Sequence, residues 1–126
     1  MVAHCEANRV KTILETGSGV STVYLSDYAR RRGAYVMSLE HERRWYQQTW
    51  GWLRLNGLER EVDLVHAPLS PDGWYGVDLP SVRFDFVFVD GFGATRAKTL
   101  PRLLSAGLLD PGWELWIHDG NRLKEQ

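Results

Sequence analysis

Apolar residues along this chain fall in five short runs, and each run stops at a polar or acidic group. The runs are Lys11 to Glu15, Tyr35 to Leu39, Val62 to Val65, Phe84 to Val89 and Glu114 to Ile117. Short apolar runs bounded by turn residues read as strands buried on both faces, and Phe84 to Val89 is the clearest of them. Between the runs the period lengthens to that of a helix. Val20 to Arg32 repeats apolar positions at Val20, Val23, Tyr24, Tyr28 and Ala29, with Ser21 and Thr22 in the first turn and Gly33 at the close. A second helix is predicted from Glu42 to Leu55, stopped by Asn56-Gly57. A third is predicted from Thr95 to Ala106, where Pro101 marks a helix start or a kink.

The remaining segments are connections. Val2 to Arg9 reads as a short helix that packs on the first strand or covers a pocket mouth. Ala67 to Ser81 carries prolines, glycines and the pair Trp74-Tyr75, and reads as a long loop with at most one helical turn. A loop of that length in a compact domain is often functional. Asp110-Pro111-Gly112 reads as a turn, and Asn121 to Gln126 as the start of a further helix. Strands alternating with helices predict a parallel sheet covered on both faces, within one domain spanning residues 1–126.

Composition narrows the function. With 15 basic and 16 acidic residues the formal net charge is −1, so no basic footprint for nucleic acid is present. The arginines at 30–32 close a helix, where cations suit the dipole. The single cysteine, Cys5, excludes an internal disulfide and a cysteine-based zinc site; it and His4 read as structural. No apolar run is long enough to span a membrane, and residues 1–6 lack the pattern of a secretion signal, so a cytoplasmic location is expected. The six tryptophans are expected mostly in the core or at its margins.

The chemistry gathers at the strand ends. Ile13 to Thr22 passes from strand through Gly17-Ser18-Gly19 into a helix, which points backbone N–H groups and the helix dipole at one small volume. In open α/β sheets ligands bind beyond the carboxyl ends of the strands, where the strand order reverses. There stand Glu15, Glu40 with His41, His66 with Ala67, Asp90 with Gly91, and His118, Asp119 and Asn121. Glu40 follows the glycine turn by about 20 residues, the place of an acid that accepts ribose hydroxyls. The turn lacks the third glycine of the dinucleotide fingerprint, and Glu15 beside it would repel a pyrophosphate but suit an ammonium or sulfonium group.

Taken in order, Glu15-Thr16-Gly17-Ser18-Gly19, Glu40, the run Phe84 to Gly91 and Leu108-Leu109-Asp110-Pro111-Gly112 resemble the class I S-adenosylmethionine-dependent methyltransferases, from about Lys11 to Asp119. The resemblance implies a Rossmann-like three-layer sandwich with strand order 3-2-1-4-5, lacking the family's last two strands. It implies that Glu15, Thr16, Gly17 and Gly19 shape the pocket for the methionine part of the cofactor, and that Ser18 and Thr22 bond its carboxylate. Glu40 would hold the ribose, His41, His66 and Ala67 would border the adenine, and Asp90 would face the sulfonium and the acceptor. The fifth strand would be an edge covered by contacts in a homo-oligomer. The loop 67–81 would be the lid, with Trp74 and Tyr75 touching acceptor or adenine.

The implied activity is methyl transfer to a small molecule, most readily to an oxygen. Asp90, Asp119 and His118 are the candidate catalytic groups, with His41 a weaker base. A Mg2+ site from Asp90, Asp119 and Asn121 resembles that of the catechol-type enzymes but is disfavoured. Gly120 separates the last two residues, and Phe92-Gly93 stand where that subgroup has a lysine. Two other classes stay open: a different enzyme using the same cofactor, such as an aminopropyl transferase or a lyase, and a non-catalytic cofactor-binding fragment.

Overall fold

A computed structural model describes residues 1–91 and 93–118. Its elements are α1 (Val2–Ala7), β1 (Thr12–Thr16), α2 (Val20–Arg32), β2 (Tyr35–Glu40), α3 (Arg43–Leu55), β3 (Asp63–His66), β4 (Phe84–Val89), α4 (Gly93–Ala106) and β5 (Leu109–Ile117). The five strands form one sheet in the order β3-β2-β1-β4-β5, and every neighbouring pair is parallel. The chain winds outward from β1 through β2 to β3, then returns to β4 on the other side. The order therefore reverses between β1 and β4, which opens a crevice at their carboxyl ends.

Alternation along the central strands feeds two separate cores. Ile13, Val36, Phe86 and Phe88 pack with Cys5, Leu25, Tyr28 and Ala29 from α1 and α2. Leu14, Met37, Leu39, Val87 and Val89 pack on the opposite face with Trp74, Tyr75 and Leu103. The central strands are buried almost throughout, whereas the edge strands β3 and β5 are only partly covered. On β5, Ile117 and Trp113 are exposed. Among the described residues no helix is long and apolar enough to cross a membrane.

Three local expectations change. Helix α2 keeps its predicted span, ending at Gly33 in the left-handed region (φ 68°), but it is rotated. Thr22, Leu25, Ser26, Tyr28 and Ala29 face inward, while Val20 and Tyr24 are exposed. The inward hydroxyls are satisfied, Ser26 Oγ by the Thr22 carbonyl (2.6 Å) and Tyr28 by the Val10 carbonyl (2.6 Å), so their burial carries little penalty. The expected turn at Asp110-Pro111-Gly112 lies inside β5. Phe84 pairs with Leu109 and Phe86 with Glu114, so the extra residues form a bulge rather than a turn before the strand. Pro101 lies inside α4 and does not start it. The loop 67–81 is the long connection expected, without a helical turn, and is closed by an isolated antiparallel bridge between Leu69 and Tyr75.

Candidate functional site

The turn after β1 is stitched to both neighbours. The Gly17 N–H donates to the Leu39 carbonyl (2.8 Å), and the Asp90 N–H donates to the Thr16 carbonyl (2.8 Å). Gly17 has φ +92°, and a Cβ there would stand 2.4 Å from the Asp90 carbonyl oxygen. Only glycine meets both demands. Gly19 differs: a Cβ there would meet nothing within 4 Å, so its lack of a side chain leaves open space above the turn.

Two carboxylates flank this turn, and their surroundings differ. Glu40, at the tip of β2, accepts the Ser18 N–H (3.0 Å) and Ser18 hydroxyl (2.8 Å) on Oε1, and the Glu42 N–H (3.0 Å) on Oε2. Ser18 Oγ is also 3.0 Å from Thr49 Oγ1 on α3. A carboxylate has about four acceptor sites, so a ligand hydroxyl can join these three bonds. Glu15 is wholly buried. It accepts hydroxyls from Ser21 (2.5 Å), Thr22 (2.5 Å) and Ser38 (2.7 Å). Burial pushes its carboxyl up to about 7, against the pull of those hydroxyls and with a smaller push from Asp90.

Above the turn lies a cleft of about 700 Å3. Gly17, Ser18, Gly19, Glu40, His41 and Asp90 all line it, as does His118, whose N–H donates to the Val89 carbonyl (2.9 Å). Other expected contacts stand away from it. Glu15, Thr16 and Thr22 are buried beneath the turn. The Thr22 hydroxyl, expected on a ligand carboxylate, instead donates to Glu15 and accepts the Gly19 N–H (3.0 Å). Ala67 is buried and donates its N–H to the Glu40 carbonyl (2.7 Å). His66 is exposed, its ring 5.4 Å from that of Tyr46. Neither residue lines the cleft.

The expected lid is corrected most sharply. Trp74 and Tyr75 are 1% and 2% exposed. Trp74 Nε1 donates to Thr99 Oγ1 (3.1 Å), and the Arg102 guanidinium sits 5.0 Å from its ring. Asp72 binds Arg102 through its carboxylate and Lys98 through its carbonyl (2.6 Å), which pins the loop to α4. Tyr75 reaches the site from below, its hydroxyl against Gly91 and its ring 6.3 Å from that of His41. Burial also pushes that hydroxyl up to about 12, so it is a neutral support.

Asp119 and Asn121 lie outside the described residues. Among the described residues, no group of three or more His, Cys, Asp or Glu side chains is arranged to hold a metal ion.

Sequence reasoning missed the side walls of the cleft. Val20, Ser21 and Tyr24 come from α2, Glu42 caps α3, and Trp45 and Trp52 come from its body. Met1, Phe88 and Gly91 contribute on the β4 side. One signal was available: Trp45, Thr49 and Trp52 share one helical face, so two of the six tryptophans point where Thr49 points, toward the glycine turn.

No family model matches the chain, and no curated protein matches it. Solved structures do share its fold. The methyltransferase PaMTH1 of Podospora anserina, crystallised with S-adenosylhomocysteine, aligns with a TM-score of 0.79 at 22% identity, over 92% of this chain and 49% of its own. The O-methyltransferase TomG of Streptomyces achromogenes, involved in tomaymycin synthesis and crystallised with S-adenosylmethionine, aligns at 0.67 and 21%, over 92% and 52%. An RNA methyltransferase of Salinibacter ruber aligns at 0.65 and 18%, over 94% and 73%. The chain thus spans about half the length of the first two. It has the Rossmann-like fold of S-adenosylmethionine-dependent methyltransferases.

Proposed function

We propose that this chain binds S-adenosylmethionine in the cleft above Gly17 and Glu40 and serves a methyltransferase acting on a small molecule, with oxygen the atom methylated. The observation that carries this reading is Glu40. Its carboxylate stands at a strand tip beside the switch point, bonded to the backbone of the glycine turn, in a cleft whose volume suits a nucleoside. The donor set also suits this ligand. A glycine-flanked turn and a helix start face the cleft, with a carboxylate to take ribose hydroxyls and without the third glycine of the dinucleotide fingerprint.

When bound, the cofactor supplies an electrophilic methyl group on a positively charged sulfur. The chain's own work is then positioning and proton handling. Glu40 orients the ribose, and Gly17 and Gly19 admit the ligand close to the backbone. Asp90 and His118 stand on the β4–β5 side of the cleft, where either would take the proton of the acceptor's hydroxyl; the bound cofactor would supply the methyl carbon and leave as the neutral thioether.

Calorimetry with S-adenosylmethionine, S-adenosylhomocysteine and NAD, on wild type and Glu40→Ala, tests the binding. The two sulfur ligands should bind the wild type and NAD should not, and the substitution should weaken them about tenfold or more. Equal affinity in both proteins would remove the ribose assignment. Methylthioadenosine as product would replace methyl transfer by aminopropyl transfer or cofactor cleavage. Tight binding with no product would leave a cofactor-holding module.

A further inference from the structure

We propose that the acceptor is a protonated arylalkylamine, its ring held by the α2–α3 wall of the cleft and its ammonium by Glu42. This rests on the reading of the cleft as a methyltransferase site and names the class of molecule it takes. Glu42 at the N-cap of α3 and Trp45 and Trp52 within it follow one another at helical spacing around Thr49, and the Thr49–Ser18 contact turns that stripe toward the glycine turn. Val20 and Tyr24, one turn apart on α2, complete the wall. Val20 is 56% exposed, Tyr24 60% and Trp45 47%. Large side chains left in water around a concave site mark a surface that a ligand covers.

Charge gives the class of ligand. The described residues lining the cleft include the carboxylates Glu40, Glu42 and Asp90 and no lysine or arginine side chain. The nearby Arg96 donates its Nε–H to the Gly91 carbonyl (3.1 Å) and is not in the lining. A phosphate-bearing acceptor or a nucleic acid needs a basic track, which this wall lacks. Aromatic faces attract cations, and a carboxylate one turn from Trp45 adds a full opposite charge. On the reading above Glu40 takes the ribose and Asp90 stands at the acceptor's hydroxyl, which leaves Glu42 for the ammonium. A protonated amine has no lone pair to methylate, so it acts as a handle while an oxygen elsewhere on the molecule reacts.

The probes are phenethylamine, 2-phenylethanol and phenylacetate, which share a ring and differ in charge. Each is titrated by calorimetry at pH 7.5 into the full chain saturated with S-adenosylhomocysteine. The amine should bind about tenfold more tightly than the alcohol, with the acid weakest. In Glu42→Gln, an exposed substitution, the amine-to-alcohol ratio should fall toward one. In Trp45→Ala both ligands should weaken together. Equal binding of all three, preference for the acid, or an unchanged ratio in Glu42→Gln would overturn the proposal. So would displacement of S-adenosylhomocysteine by the amine, because the wall would then belong to the nucleoside. Failure of S-adenosylhomocysteine to bind the wild type would sink the cofactor reading instead, and the ratios measured without it would still report on the wall.

Discussion

The turn between β1 and α2 and the connection between β3 and β4 are both expected from the sequence to line the binding cleft, and only the turn does. The turn is short, small-residued and bonded to β2 and β4 on either side, so its backbone forms the cleft floor. The connection is long and turns its largest side chains inward. No helix lies between β3 and β4, so one face of the sheet lacks the usual crossover helix. Trp74 and Tyr75 supply the apolar cover that helix would have given. Loop length alone therefore does not mark a binding segment. What the loop buries, and how it is tied down, separates a lid from a piece of core.

Trp74→Ala should produce the largest effect if the connection is core. A loss of about 3–5 kcal/mol is expected from urea denaturation, from lost burial and the cavity left behind. Affinity of the folded fraction for S-adenosylhomocysteine should be unchanged; a parallel loss would restore the connection to the site. Gly17→Ala should come next, at about 2–4 kcal/mol, because a methyl group meets the Asp90 carbonyl in a backbone conformation that side chains disfavour. Gly19→Ala is its partner in the comparison. It should cost less than about 1 kcal/mol while weakening the same ligand, since its methyl group points into open space. A large stability loss at Gly19, or none at Gly17, would show that the two glycines have been assigned the wrong roles.

At Glu15 the effect is spread over a pH range. Its carboxyl is raised from 4.5 to about 7 in the folded chain, so the native state holds more protons than the unfolded state across that window. Stability should therefore be greatest near the lower end and fall as pH rises through it, by at most about 1.4 kcal/mol per pH unit. Denaturation midpoints of Glu15→Gln should vary less over the same range. An equal slope in both proteins would assign the pH dependence to other groups.

Much of this was legible along the chain. The runs at Ile13, Tyr35 and Phe84 identified the central strands, because a doubly covered strand must be apolar at nearly every position. Glu40 stood out because an acid closing such a run has no role in a core. The bulge in β5 was hidden because Asp110-Pro111-Gly112 has the composition of a turn whether or not the flanking residues pair. The tryptophans of α3 were hidden because periodicity says which residues share a face but not what that face meets.

What the sequence alone determined is the set of strands, their polar tips and the glycine turn. Those follow from backbone sterics and from alternation within a few neighbouring residues. What only the tertiary structure decided is which side of α2 looks into the cleft. Thr22 turns inward because a buried acceptor, Glu15, arrives from β1, and Ser38 of β2 donates to the same carboxylate. With hydroxyls drawn to that buried charge, the more apolar Val20 and Tyr24 are left to line the cleft. Residues brought together from three separate elements set that rotation, and no pattern local to the helix encodes it.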